Sequence, residues 1–191
     1  MSIRTYIPKD AKVIPGHAEK VFSGVIFDVY QWPQEMYDGT TETFEMLKRP
    51  DTVRAIAIRD NKLVVLEQEQ PVVGAFFDVP GGRHDFEGET ELEAVQRETK
   101  EECGMQFGNW RLLKVDQPHT KIDWLVYTFL ATDFIDEVPQ ELESGEKITV
   151  HLKTFDEVKM LLRDPRARSL GADILEHVDS IDELLELPSI E

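Results

Sequence analysis

Apolar residues recur along this chain at two different periods, and the switch between them marks out the elements. Alternating, β-branched and aromatic runs predict strands at 20–32 (KVFSGVIFDVYQW) and 41–47 (TETFEML), joined by a turn carrying Asp38-Gly39. Beyond Arg49-Pro50, VRAIAIR (53–59) and KLVVLEQ (62–68) flank Asp60-Asn61 and predict a hairpin. AFFDV (75–79) is a short strand stopped by Pro80 and the pair Gly81-Gly82, and further strands are expected at 112–116, 123–132 and 147–154. The helical period takes over after Thr90, which with Glu93 forms a capping box, and Gly104 stands where a left-handed C-terminal cap belongs. Leu92, Val95, Thr99 and Cys103 share one stripe of that helix and are expected to face the core. A second helix is predicted over 155–164 and a last one within 171–187. Strands and helices mix without regular βαβ alternation, so the expected fold class is α+β, layered α/β/α. Residues 1–50 read as an N-terminal β extension and 51–191 as the main domain.

Composition narrows the function. At 41% hydrophobic and 31% charged over 191 residues, the chain can bury a core. Its formal charge of −17 argues against a nucleic-acid or anionic-membrane surface, because a phosphate array would be repelled. No run of 18 apolar residues offers a membrane span, and MSIRTYIPKDAK lacks the apolar centre of a signal peptide, so a cytoplasmic location is expected. The single cysteine, Cys103, excludes an internal disulfide and a cysteine zinc cage, and its apolar helical position speaks against a catalytic thiol. Neither GxGxxG nor GxxxxGK[ST] is present, which removes the usual dinucleotide and P-loop cradles.

One stretch, GGRHDFEGETELEAVQRETKEECG (81–104), concentrates glutamates on a helix where like charges at i, i+4 are mutually unfavourable by roughly 0.2–0.5 kcal/mol per pair. In so acidic a chain such a run is commonly a solvated face. Here, however, Glu98 and Glu102 stand one above the other at the edge of the apolar stripe, with Glu101 round the side. Carboxylates gathered there suit a hard cation such as Mg²⁺ or Mn²⁺. Arg97 is placed to pair with Glu101 or Glu89, and the glycines let backbone carbonyls approach the same ion.

The order Gly82, Glu89, then seven residues, then Arg97-Glu98-Thr99-Lys100-Glu101-Glu102-Cys103-Gly104-Met105 resembles the signature of the Nudix hydrolases, G-x5-E-x7-R-E-U-x-E-E-x-G-U with U aliphatic. Two departures stand out: six residues rather than five separate Gly82 from Glu89, and Thr99 occupies a position usually aliphatic. The resemblance implies a Nudix fold with a mixed central sheet and Mg²⁺- or Mn²⁺-dependent hydrolysis of a nucleoside diphosphate linked to another moiety. It implies Glu98 and Glu102 as principal metal ligands, Glu101 as a further ligand or water contact, the Gly81 carbonyl on the metal, and Arg97 with Glu89 as the supporting pair.

Outside the box the chain is most similar to the ADP-ribose pyrophosphatase branch, whose N-terminal strands imply a homodimer. VVLEQEQP stands where that branch often has Glu-Gln-x-Arg, which makes Glu67 a candidate for binding substrate and leaves Gln70 at the place of the phosphate-contacting arginine. The branch recruits a late-loop glutamate as general base; Glu146 is the best match and Glu143 the runner-up. Trp32 and Phe27 are candidates to stack on a base, Arg54 and Arg83 to meet phosphates, and His84 to touch ligand. Two further readings stay open: a nucleoside triphosphate house-cleaning pyrophosphatase, and a nucleotide-binding module without catalysis.

Overall fold

The computed structural model describes residues 2–190, with strands and helices in mixed order. Three strands, β1 (Glu19–Ser23), β2 (Asp28–Glu35) and β3 (Thr41–Lys48), form an N-terminal meander. β4 (Asp51–Arg59), β5 (Lys62–Gln70), β6 (Gly74–Asp78) and β7 (Gly81–His84) lead into helix α1 (Glu91–Cys103). β8 (Met105–Asp116), β9 (Ile122–Asp123), β10 (Val126–Glu137) and β11 (Lys147–Lys153) follow, then α2 (Phe155–Leu161), α3 (Ala172–Leu175) and α4 (Ile181–Glu186). The large sheet runs β11-β5-β4-β10-β8, with β6 on β5 and β7 on β4; β10 lies parallel to β4 and the other pairs are antiparallel.

Both faces of this sheet are covered, and the two-residue period assigns side chains to them. Val53, Ala55 and Ala57 of β4, with Tyr127, Phe129 and Ala131 of β10, lie on the side of α1, against Ala94, Val95 and Cys103. Ile56 and Leu130 point the other way, into Phe155, Val158, Leu170, Ile174, Leu175 and Leu184 from α2 to α4 and their connections. This is the layered α+β arrangement that the sequence pattern predicts.

The hairpin at Asp60-Asn61 is present, with φ of 51° and 56° supplying the left-handed pair that a tight two-residue turn needs. The helix at Thr90 has its reciprocal capping box with Glu93, and Gly104 closes it at φ 67°. Other expectations need correction. The strand predicted over 20–32 breaks into β1 and β2, because Gly24 N–H turns back to the Phe27 carbonyl at 3.0 Å. The strand expected at 112–116 starts at Met105, where long pairing with β10 overrides the turn-like Gly108-Asn109. Gly81–His84, where the sequence predicts no strand, is a strand held on β4. The last predicted helix divides into α3 and α4. In α1 Val95, Thr99 and Cys103 are buried as expected, but Leu92 is 40% exposed and its neighbour Glu91 is 2% exposed.

Glu91 explains that exchange. Its carboxylate accepts the Thr5 backbone N–H at 2.6 Å and the Thr5 hydroxyl at 2.8 Å, tying an N-terminal arm across the main body. Arg4 in the same arm bridges Asp51 and Asp123, and Tyr127 donates to the Tyr6 carbonyl. The first fifty residues therefore serve two ends: 2–14 pack on the main body, while 19–48 build the small sheet, to which β9 adds a parallel strand beside β3. Among the described residues no helix is long and apolar enough to cross a membrane.

Candidate active site

The site grows from the contact between β7 and α1. Pairing with β4 sets Gly81 and Gly82 opposite Arg54 and Val53. The Gly81 N–H donates to Glu102 Oε2 at 2.7 Å. Gly82 has no side chain where the Glu98 carboxylate lies, and a Cβ at that position would overlap it. The double glycine thus makes room for one glutamate and anchors the other.

Arg97 organises the rest. Nε and Nη2 hold the two oxygens of Glu89 at 2.8 and 3.2 Å, Nη1 reaches Glu98 at 2.7 Å and Glu101 at 3.1 Å, and Nη2 also donates to the Arg83 carbonyl at 3.0 Å. Phe86 covers its guanidinium at 4.2 Å. Burial works against its charge, but the bonds to Glu89 and Glu98 outweigh it and raise its pKa further. His84, a loop candidate for ligand contact from the sequence, is instead fully buried, its Nε2 at 2.6 Å from the Glu89 carbonyl.

The carboxylates beyond Arg97 are short of cations. Glu102 is 5% exposed; burial pushes its pKa well up, and the charges of Glu98, Glu146 and Asp78 add to this against the single Gly81 N–H. Burial also raises Glu98, opposed by Arg97 and reinforced by Glu101 and Glu146. The loop bringing Glu146 there is strapped to the end of α1: Val138 N–H to the Gly104 carbonyl at 2.7 Å, Gln140 Nε2 to the Glu102 carbonyl at 2.5 Å, Glu141 N–H to the Glu101 carbonyl at 2.9 Å. Glu143 bonds back to Glu146 through its N–H at 3.2 Å and its carbonyl at 3.0 Å.

Gly81, Arg83, Arg97, Glu98, Glu101, Glu102, Glu143 and Glu146 all line one cavity of about 1050 Å³. The donor set is entirely oxygen, as a hard divalent cation requires, and Glu102 is a buried carboxylate with one N–H to answer its charge. The carboxylate oxygens stand apart: among the described residues no group of three or more His, Cys, Asp or Glu stands at ligating geometry. Glu98 Oε1 faces Arg97 and Glu102 Oε2 faces Gly81. The chemistry of the set fits a divalent ion, and binding would ask these side chains to turn from their present partners.

Other residues singled out from the sequence fall differently. Arg54 lines the cavity, but its guanidinium is engaged by Thr128 at 2.7 Å, Asp173 at 2.6 Å and Ser169, so it braces the wall. Glu67 does not line the cavity; strand alternation turns Gln68 and Gln70 inward and sends Glu67 to His151 at 3.2 Å and Arg166 at 3.7 Å. Trp32 is 7% exposed, packed on Phe44 at 5.2 Å in the small sheet and away from the cavity lining. Phe27 lies 5.8 Å beneath the Arg49 guanidinium. The cavity does include in its lining the rings of Phe76, Phe86 and Trp124, the last fixed by Nε1 to Thr52 at 3.0 Å and covered by Arg49 at 4.5 Å. Arg49 and Arg168 also line it. Sequence reading missed Arg49, Trp124 and Arg168: Arg49 stood only at the boundary before Pro50, Trp124 fell within the strand predicted over 123–132, and Arg168 sits between the two last predicted helices.

A mixed sheet between helices, with an acidic helix face held by the paired glycines of β7 and a central arginine, defines the class. The NUDIX domain pattern matches residues 48–174, most of the chain, and the protein belongs to the Nudix family of hydrolases. It is 28% identical over 150 residues to an ADP-ribose pyrophosphatase of Bacillus subtilis (strain 168), covering 75% of this chain and 80% of that one. It is 27% identical over 122 residues to a methanol dehydrogenase activator of Bacillus methanolicus, covering 63% of this chain and 59% of the relative. A solved structure of an ADP compounds hydrolase superposes with a TM-score of 0.70 at 22% identity over 90% of this chain and 92% of that one, a likeness of fold.

Proposed function

We propose that this protein hydrolyses the pyrophosphate bond of a nucleoside diphosphate linked to another moiety, ADP-ribose or another nucleoside diphosphate sugar, releasing a nucleoside monophosphate and a sugar phosphate. The observation that carries this reading is the convergence of Glu98, Glu101, Glu102 and Glu146 on one cavity that Arg49, Arg83 and Arg168 also line. The similarity to an ADP-ribose pyrophosphatase supports the substrate class.

In this reading Glu98 and Glu102 hold Mg²⁺ or Mn²⁺, with Glu101 and the Gly81 carbonyl as further contacts. When bound, such an ion neutralises phosphate charge and lowers the pKa of an attacking water. Arg97 keeps Glu98 and Glu101 in place while Glu89 and the Arg83 carbonyl hold Arg97. Glu146, free of any cation among the described residues and electrostatically close to both Glu98 and Glu102, takes the proton of the water at its carboxylate. Arg83, 47% exposed at its side chain and only loosely held by Asp85 at 3.6 Å, is free to turn to a phosphate. Trp124 lines the cavity with Arg49 over its ring, so a base would meet that arginine–tryptophan pair and not a bare ring face. The exposed apolar residues of the N-terminal sheet and its first turn, among them Phe22 and Ile26, belong to the homodimer contact of the same reading.

The test is a hydrolysis panel with Mg²⁺, comprising ADP-ribose, GDP-mannose, NADH, dinucleoside polyphosphates and nucleoside triphosphates, run against Glu102→Gln and against chelator. Release of a nucleoside monophosphate from one diphosphate compound, lost in the variant and with chelator, is the expected result. Preference for triphosphates, or binding without turnover, would overturn it.

A further inference from the structure

The cavity's cationic residues divide sharply by pairing. Lys114 is held by Asp173 at 2.9 Å and Asp116 at 3.1 Å, and Arg54 by Asp173 at 2.6 Å. No ion pair among the described residues takes up Arg49 or Arg168. Arg49 Nε is buried without any hydrogen-bond acceptor. The Arg49 guanidinium rests on the Trp124 ring at 4.5 Å, so its position is set by a flat apolar contact rather than a carboxylate. The charges of Asp51 and Asp78 reach Arg49 and Arg168, but among the described residues no carboxylate stands within ion-pair distance of either guanidinium, which leaves their donors to an entering anion. Burial lowers the pKa of Arg49, and the charges of Arg168 and Arg83 lower it further, so the three lie within electrostatic reach of one another.

Arg168 is not a loose surface residue. Its segment is sewn to β6: Phe77 N–H to the Arg166 carbonyl at 2.8 Å, Arg168 N–H to the Phe77 carbonyl at 3.0 Å, and Leu170 N–H to Asp78 Oδ1 at 3.1 Å. Leu170 and Gly171 follow in left-handed conformation, with φ of 46° and 63°, and Leu170 is fully buried, which holds that turn. The Arg168 guanidinium then lies 5.2 Å over the ring of Phe76, whose cross-strand partner is Gln68. Gln68 and Gln70, on one face of β5, bring no charge to this wall. The fixed cation of this wall thus comes from a connection late in the chain.

We infer that Arg168, with Arg49, forms an anion subsite that binds a phosphate of the substrate, the one turned away from the carboxylates. The inference rests on the proposed reaction only for the identity of that phosphate. Planar, always charged guanidiniums lying on rings are suited to bidentate phosphate contact. Arg168 is a substrate-binding residue in this scheme.

The experiment uses inorganic pyrophosphate as probe, titrated by calorimetry into the full-length protein with chelator present, for the wild type, Arg168→Gln and Arg168→Lys. Arg168→Gln should weaken binding about tenfold, Arg168→Lys less, and the melting temperature should stay within about 2–4 °C because Arg168 is in no ion pair among the described residues. Equal affinity in Arg168→Gln, or an affinity loss accompanied by a matching drop in melting temperature, would overturn the subsite. Arg49→Lys, which keeps the charge while losing the fork, should also weaken binding and serves if Arg168→Gln misfolds. If no nucleoside diphosphate compound turns over yet Arg168→Gln loses pyrophosphate, the reaction falls and the subsite stands. If turnover proceeds with KM unchanged in Arg168→Gln, the subsite falls and the reaction stands.

Discussion

The double glycine gives the most discriminating perturbation. An alanine Cβ at position 82 would stand under 3.0 Å from the Glu98 carboxylate, where ordinary contact begins at 3.4 Å. The carboxylate must therefore retreat by about 1 Å, and a displacement of that size at a reacting centre can cost about 100-fold in rate, or about 2.7 kcal/mol. The obstructing atoms are the far end of a flexible side chain, so the fold should tolerate the change: with about 1 kcal/mol lost, the melting temperature would fall by roughly 2–4 °C. At Gly81 the same methyl meets backbone, the Val53 carbonyl oxygen and the Arg54 Cα at 2.7 Å, which cannot swing aside. Gly81→Ala should therefore lower the melting temperature far more, as overpacking against fixed atoms costs roughly 1–3 kcal/mol or more. Steady-state kinetics at saturating Mg²⁺, paired with thermal melts of both variants, separates the two. If Gly82→Ala keeps kcat/KM within a few-fold of wild type, the position of Glu98 is not what the reaction depends on and the reasoning fails.

Further outcomes follow from the same geometry. Glu91→Ala removes a buried acceptor of two bonds from Thr5; a loss of about 3 kcal/mol is expected, lowering the melting temperature by roughly 6–12 °C. Below that melt kcat should be unchanged, since Glu91 does not line the cavity, and proteolysis should cut first within residues 2–14. Burial raises the Asp173 pKa, but the Lys114 bond and the charges of Arg54 and Lys114 outweigh it and hold it below the usual carboxylate value. Its stabilising contribution is thus full above about pH 4 and is lost as pH falls through the lower folded value. Asp173→Asn should flatten the acid limb of a stability–pH curve; an unchanged limb would count against the pair. Burial, and then the Glu102 charge, push the Cys103 thiol well up. A thiol reagent should label it at least about 100-fold more slowly in the native protein than in denaturant, and rapid native labelling would refute the packing of α1.

The box itself was legible because its chemistry is local. Thr90, Glu93 and Gly104 set the limits of α1, and helical spacing alone puts Glu98 and Glu102 on one edge with Arg97 beside them. The strands around Asp60-Asn61 were equally local, since the turn and the two-residue period act over a few residues. Glu67 shows where such reading stops: a motif position names a residue, but only the register of β5 against β6 and β11 decides which of Glu67, Gln68 and Gln70 faces inward. Glu91 shows the same for burial, for helical period favoured Leu92 and the Thr5 arm, 86 residues away in sequence, reversed it.

Short-range order determined by the sequence alone thus comprises the acidic helix, its caps and the hard-cation character of its carboxylates. Tertiary structure alone decided which distant residues meet them. Glu146 arrives because the 138–141 strap bonds to the end of α1, Trp124 because β10 runs parallel to β4, and Arg168 because its connection is bonded to β6. The physical reason is one of range. Caps, turns and periodicity are set by neighbours within about four positions, whereas the partners of a cavity are chosen by burial and hydrogen bonding across the whole chain.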